Sequence, residues 1–149
     1  MREENHMISE ENKRELCRMA IEAREKAYSP YSHFNVGAAL LTADDEIYQG
    51  CNIENSSYTP TICAERTAIF KAVSEGKRDF KAIAIAGAAE GAELPFKPCP
   101  PCGVCRQVMT EFCSPDDFEV ILAQSEDIFT SYKLRDLLPL GFGSENLES

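Results

Sequence analysis

The sequence VGAALL, at residues 36–41, is a short apolar run that predicts a buried strand. The turn-forming residues ADDE follow at 43–46, and residues 47–52 predict a returning strand, so this part of the chain is expected to form a hairpin. Two further strands are predicted, at 82–86 (AIAIA) and at 118–123. We therefore expect a sheet built around the first run.

Helical patterns separate these strands. Ser9, a residue type that caps helices, precedes apolar residues at helical spacing, and Ser29-Pro30 ends that pattern. Further helices are predicted at about 61–75, 102–113 and 132–138. Because each later strand–helix–strand crossover implies parallel pairing, the order predicts an α/β fold. We expect a three-layer α/β/α sandwich with a mixed, mostly parallel sheet.

Length and charge limit the classes of protein to consider. The 149 residues suit one domain, expected to span 1–149 with a disordered segment at 1–8. The net charge of −10 disfavours nucleic acid and anionic membranes as partners. No apolar run approaches the length of a membrane span, and the first residues lack the apolar run of a secretion signal. Seven cysteines, an odd number, indicate a reducing compartment, so a cytoplasmic protein is expected.

Two cysteine motifs carry the chemistry. Cys63-Ala64-Glu65 lies near the start of the second predicted helix, and PCGVCRQ, at 101–107, starts the third. Cys102 and Cys105 are three residues apart, so on a helix they share one face and can bind one ion. Helix N-termini favour the thiolates that zinc requires, and Cys63 would be a third ligand. Three protein ligands leave a fourth position for water, which is typical of catalytic zinc, and Glu65 could move protons beside it.

Charge around the predicted ion raises a further hypothesis and an alternative. Three thiolates around one Zn²⁺ leave a net negative charge, which hydrogen bonds to sulfur from Arg66 and Arg106 would withdraw.

Cys99 offers a different interpretation of the motifs. Together with Cys63, Cys102 and Cys105 it could close a structural four-sulfur site that activates no water. A thioredoxin-like redox role for the Cys-x-x-Cys pair is also open, although it would need neither Cys63 nor Glu65.

Longer segments resemble a family, the small homotetrameric zinc-dependent cytidine deaminases. The resemblance runs from Ala27 to Phe142, and the handful of motifs that carry it are together specific. They are YSPYSHFNVGAAL at 28–40, NIEN at 52–55, ICAERTA at 62–68, PCGVCRQ at 101–107, and Leu137-Leu138-Pro139 followed by Phe142.

The resemblance implies a reaction and a set of roles. The reaction is hydrolysis of cytidine and deoxycytidine to uridine and deoxyuridine, with release of ammonia, by zinc-bound hydroxide in pyrimidine salvage. The assembly implied is a homotetramer whose active sites are completed by neighbouring subunits. The resemblance implies that Cys63, Cys102 and Cys105 bind one Zn²⁺ per subunit and that Glu65 transfers protons. It implies that Asn52 and Glu54 bind the sugar and that Phe34 and the Ala64 backbone contact the base. It also implies that Tyr58 and Phe142 make contacts across subunits.

Three other functions stay open at this point. A deaminase of a blasticidin-type nucleoside antibiotic would share the Cys-Ala-Glu and Pro-Cys-x-x-Cys motifs, although the segments at 31–34 and 52–55 favour ordinary nucleosides. A polynucleotide-editing deaminase is disfavoured by the acidic charge and the lack of a basic stripe. Outside enzymes, the cysteines could belong to an interaction module with structural zinc.

Overall fold

The sheet has five strands, one more than the sequence predicts. The structure is a computed structural model, and it describes residues 8–148. The strands lie in the order β2-β1-β3-β4-β5. Their bounds are β1 Phe34–Thr42, β2 Ile47–Cys51, β3 Phe80–Ala89, β4 Glu119–Ala123 and β5 Phe129–Lys133.

The sheet is mixed, as predicted, but the expectation that parallel pairs predominate is wrong. Only β3 and β4 pair in parallel, whereas β1 is antiparallel to both β2 and β3, and β5 is antiparallel to β4. Helix α2 (Ala64–Ser74) does connect two strands of the same direction, β2 and β3. The hairpin strand β1 lies between them, however, so this crossover creates no parallel pair.

Helix α1 (Glu10–Ala23) covers one face of the sheet. Ser9 caps it, as predicted, by accepting a hydrogen bond from the Asn12 backbone nitrogen at 3.1 Å. Its residues Leu16 and Cys17 are fully buried against this face. Ile8, which was expected to be disordered, is also buried in this cluster, whereas residues 1–7 of that predicted segment lie outside the described residues.

The opposite face carries the other helices, which confirms the three layers. Helix α2, helix α3 (Gly103–Phe112) and the short α4 (Leu134–Leu137) all bury apolar side chains there. Gly50 of β2 lets α2 approach the sheet, because a Cβ at this position would lie 2.5 Å from the Ala64 carbonyl oxygen and 2.5 Å from the Ala68 nitrogen. No helix within residues 8–148 is long and apolar enough to cross a membrane.

The C-terminal part differs most from the sequence prediction. A helix was expected at 132–138, but residues 132 and 133 belong to β5 and the helix occupies only 134–137. Strand β5 is a mostly exposed edge strand, so it lacks the alternation of apolar residues that reveals a half-buried strand.

Candidate active site

Two helix N-termini meet on one side of the sheet. Cys63 is the N-cap residue of α2 and Cys102 is the N-cap residue of α3, so each lies at the positive end of a helix dipole. Cys105 lies in the first turn of α3 and is fully buried. The fold therefore brings together the three cysteines that the sequence identifies as ligands.

The spacing of the three sulfur atoms fits a tetrahedral zinc ion. The Sγ atoms of Cys63 and Cys102 are 3.7 Å apart, and those of Cys102 and Cys105 are 3.6 Å apart. All three sulfurs lie within 4.8 Å of one another. Ligands at about 2.3 Å from a tetrahedral zinc are about 3.8 Å from each other, which matches this spacing. The chemistry of the three thiols also suits zinc better than a hard cation such as Mg²⁺.

The environment of Cys63 favours its thiolate. Hydrogen bonds, first from the Cys105 thiol and then from the Arg66 guanidinium, lower the pKa of Cys63 to about 5. The Arg66 Nη2 atom lies 3.3 Å from the Cys63 sulfur. Donation to Cys63, together with burial, raises the pKa of Cys105. The donors around Cys63 therefore favour its thiolate, the form that binds zinc.

Glu65 is buried beside this cluster, in the first turn of α2. Burial raises the pKa of its carboxyl group to about 7, and the nearby Cys63 thiolate adds to the rise. No group of three metal-ligating side chains within residues 8–148 includes Glu65. A carboxyl group with a pKa near neutrality can both accept and release a proton at physiological pH, which is what general acid–base catalysis requires.

Cys99 lies near the cluster but does not join it. Among the described residues, the one group of metal-ligating side chains consists of Cys63, Cys102 and Cys105. Burial raises the pKa of Cys99 to about 11, and the charges of Glu65 and Cys63 add to this effect. Because Cys99 lies outside the group whose sulfurs are within 4.8 Å of one another, the structure disfavours the four-sulfur alternative.

Arg106 lies beside the cluster but does not donate to sulfur. Its Nε donates to the Pro101 carbonyl at 2.8 Å, and its Nη1 donates to the Leu137 carbonyl at 2.6 Å. Gln107 adds a bond from Nε2 to the Phe142 carbonyl at 2.7 Å. Arg106 therefore ties the C-terminal segment to the loop before α3, and Gln107 ties the same segment to α3.

Asn52 directly follows β2, and its side chain is buried against the start of β1. Its Nδ2 donates to the Phe34 carbonyl at 2.8 Å, and its Oδ1 accepts from the Val36 nitrogen at 2.9 Å. These bonds hold the first residues of β1, including the half-exposed Phe34. Sequence reasoning did not find this contact, because the partners precede Asn52 by 16 and 18 residues.

Glu54 lies at the edge of a small cleft. Its carboxylate accepts hydrogen bonds from the Tyr31 nitrogen at 3.0 Å, from the Ser32 nitrogen at 3.1 Å and from the Ser32 hydroxyl. Tyr58, which is 74% exposed, and Tyr31 pack edge to face with 6.3 Å between ring centroids. Together with Thr61 these side chains line a cleft of about 330 Å³. The role of Ser32 was missed, although a serine in the turn-forming YSPYS segment is a signal for side-chain bonding to nearby groups.

Ala64 and Phe142 occupy contrasting positions. Ala64 begins α2, directly between Cys63 and Glu65, and its side chain is fully buried. Phe142 is 58% exposed on the C-terminal segment, and Leu140 beside it is fully exposed.

Comparisons with known proteins agree with this geometry. The family model of the cytidine and deoxycytidylate deaminase zinc-binding region matches residues 10–121, a range that contains Glu65 and the three clustered cysteines. Cytidine deaminase from Halalkalibacterium halodurans is 49% identical over 132 residues, which cover 89% of this chain and 95% of the relative. Cytidine deaminase from Sporosarcina psychrophila is 52% identical over 125 residues, which cover 84% of this chain and 87% of the relative. The crystal structure of cytidine deaminase from Burkholderia pseudomallei shares the fold with a TM-score of 0.76 and 47% identity, covering 86% of this chain and 97% of that one.

Proposed function

Because this chain belongs to the cytidine deaminase family and catalyses the zinc-dependent hydrolytic deamination of cytidine, we propose that Glu65 moves the protons of that reaction. The observation that carries this proposal is the buried Glu65 carboxyl group directly beside the three-sulfur cluster, with a pKa of about 7. Cys63, Cys102 and Cys105 would hold the zinc ion, one per subunit.

The proton transfers follow from the chemistry of the substrate. When bound, Zn²⁺ supplies Lewis-acid chemistry that lowers the pKa of a water molecule towards about 7. Glu65 accepts a proton from that water and delivers it to N3 of the cytosine ring, which makes C4 more electrophilic. Glu65 then carries the second proton to the departing amine. The water oxygen ends on C4, one proton stays on N3, and the other leaves with ammonia, so a single carboxyl group serves every transfer.

The sugar and base contacts form a second part of the proposal. The Asn52 amide has two N–H donors and uses one on Phe34, so the other is free to bind a sugar hydroxyl. The Glu54 carboxylate has about four acceptor positions and uses three within the chain. Phe34, half exposed at the start of β1, presents an apolar surface for the pyrimidine, and the Ala64 backbone would contact the base.

A panel of substrates tests the specificity of the enzyme. We expect the enzyme to convert cytidine and deoxycytidine to uridine and deoxyuridine, which the change in ultraviolet absorbance measures. We expect no conversion of blasticidin S or of cytosine in single-stranded DNA. Turnover of blasticidin S at a higher kcat/KM than cytidine would contradict the proposal.

Glu54→Gln should raise KM for cytidine, because a carboxylate accepts a stronger hydrogen bond from a hydroxyl than an amide does.

A homotetramer completes the proposed active site. The exposed apolar side chains Tyr58, Leu140 and Phe142 are candidates for contacts between subunits, with Tyr58 and Phe142 reaching a neighbour's site. Mixed tetramers of two inactive variants test this idea. A site that combines Glu65 from a Phe142→Ala subunit with Phe142 from a neighbouring Glu65→Gln subunit has both residues. When the two variants are dissociated, mixed and reassembled, the mixture should therefore be more active than the sum of the two separate variants. Activity equal to that sum would contradict active sites shared between subunits.

Localisation and physiological role form the last part of the proposal. Zinc binding through three cysteines requires reduced thiols, which favours a cytoplasmic location. Conversion of free nucleosides places the enzyme in pyrimidine salvage. Cell fractionation, with activity recovered in the cytoplasmic fraction, tests the location.

A further inference from the structure

Arg24 directly follows α1, at the point where this helix touches the sheet. Gly37 of β1 makes the close approach possible, because a Cβ at this position would lie 2.0 Å from the Ala20 carbonyl oxygen and 2.7 Å from the Arg24 nitrogen. The side chain of Arg24 is therefore brought to the start of β1 and the end of β3, where Phe34 pairs with Ala89.

The Arg24 guanidinium is half-buried and donates to backbone carbonyls of both strands. Its Nε donates to the Asn35 carbonyl at 2.9 Å, and its Nη2 lies 3.1 Å and 3.3 Å from the carbonyls of Ala88 and Ala89. Asn35 directly follows Phe34. These bonds therefore add to the backbone pairing that joins the start of β1 to the end of β3.

The same guanidinium stacks on the loop that follows β3. Its central carbon lies 4.3 Å from the centroid of the Phe96 ring, within the range of a cation–π interaction. The buried Phe96 is also bound to the end of β4, because its nitrogen donates to the Gln124 carbonyl at 2.8 Å and Gln124 Nε2 donates back at 3.0 Å. Arg24 and Gln124 thus hold this loop from two sides.

A cavity of about 530 Å³ lies between Phe34 and the loop. Gly87 and Cys99 line it with Phe34, and a Cβ on Gly87 would lie 2.6 Å from the Cys99 sulfur and 3.1 Å from the Phe34 ring. Cys99 is in turn close enough to Glu65 for that charge to act on its thiol. Cys99 and the candidate ligand Cys63 pack against the same core cluster, so the cavity lies beside the catalytic centre. Arg24 contacts Ala88, Ala89 and Phe96, which line the cavity.

We propose that Arg24 is a positioning residue for the nucleoside: it holds Phe34 and the loop at residues 92–100 at the separation that accepts the pyrimidine ring. This inference rests on the proposed function, in which Phe34 packs against the base. Arg24 acts through Phe34 and Phe96 rather than on the substrate. Its loss should weaken nucleoside binding and leave proton transfer by Glu65 intact.

The test compares binding with turnover in the zinc-loaded full chain. Arg24→Met keeps a long apolar stem and removes the charge and the donors. We expect KM for cytidine and the Kd for uridine, measured by calorimetry, to rise about tenfold, while kcat changes less than about twofold and zinc content stays the same. Arg24→Lys keeps the charge but not the planar fork, so its KM should lie between those of the wild type and Arg24→Met.

Arg18→Met is the matched control, because Arg18 lies on α1, the helix that Arg24 follows, and pairs with the exposed Glu15. It should keep wild-type KM and Kd. If Arg24→Met fails to fold, Phe96→Leu, which removes the ring that Arg24 stacks on and keeps an apolar side chain in the core, should raise the uridine Kd about threefold. Unchanged KM and Kd in a folded Arg24 variant, or a fall in kcat with unchanged Kd, would overturn the positioning role. A wild-type chain that neither converts cytidine nor binds uridine would instead overturn the proposed function.

Discussion

Glu65 offers the sharpest prediction at the scale of single residues. Glu65→Gln keeps the shape of the side chain but removes its ability to accept and release protons. Since general acid–base groups contribute about 10²- to 10⁴-fold, we expect kcat to fall by that factor. Zinc content, measured by elemental analysis, should not change, because Glu65 lies outside the sulfur cluster.

Glu75→Gln is the control for this prediction, since Glu75 lies at the exposed end of the same helix. It should keep full activity. A fully active Glu65→Gln enzyme would mean that another residue is the base, and loss of zinc from that variant would mean that Glu65 supports the metal.

The sequence predicts residue roles where the relevant contacts are local. Cys102 and Cys105 share a helix turn, so their spacing alone places both sulfurs together. The contacts of Arg106 were not predictable in this way, because one of its partners is Leu137, 31 residues later. Tertiary packing determines which side chains donate hydrogen bonds to a thiolate. Arg66 therefore donates to the Cys63 sulfur, whereas Arg106 donates to two backbone carbonyls.

At the scale of secondary-structure elements, the contact between α2 and β2 positions the site. Gly50→Ala would place a methyl group 2.5 Å from two backbone atoms of α2, so the helix that carries Cys63 and Glu65 must shift. We expect a loss of about 1–3 kcal/mol in the free energy of unfolding, because backbone atoms cannot move aside as a flexible side chain can. Urea denaturation measures this loss, and kcat should fall with it.

Ser74→Ala, at the exposed last residue of α2, is the comparison variant, and its stability should change by less than about 0.5 kcal/mol. A Gly50→Ala protein with wild-type stability and activity would show that α2 does not need this close approach.

A buried ion pair joins α1 to β4. Lys13 Nζ lies 3.2 Å from Glu119 Oε1, and the two side chains are 13% and 7% exposed. Lys13→Met would leave the Glu119 carboxylate buried without this partner, so we expect a loss of about 3 kcal/mol in the free energy of unfolding. Urea denaturation checks this value.

The exposed pair Arg135–Asp116 provides the contrast, because exposed ion pairs contribute about 0–1 kcal/mol. Asp116→Ala should therefore have little effect on stability. Equal losses in the two variants would show that burial does not set the strength of the Lys13–Glu119 pair.

At the scale of the whole molecule, the layers were predictable and the strand directions were not. Apolar periodicity in α1 and the buried runs of β1, β3 and β4 identify a sheet covered by helices on both faces. Periodicity does not say which strands are neighbours, so the position of β1 between β2 and β3 escaped prediction. The exposed edge strand β5 was missed because pairing with β4, rather than burial of its own side chains, supports it.

The account depends most on a zinc ion held by three sulfurs beside Glu65. The most direct test removes the metal with a chelator, returns zinc in steps, and follows the ultraviolet change as cytidine becomes uridine. We expect the rate to rise in proportion to bound zinc and to level off at one ion per chain. Cytidine conversion by metal-free protein, or a fully zinc-loaded chain that converts no cytidine, would contradict the account.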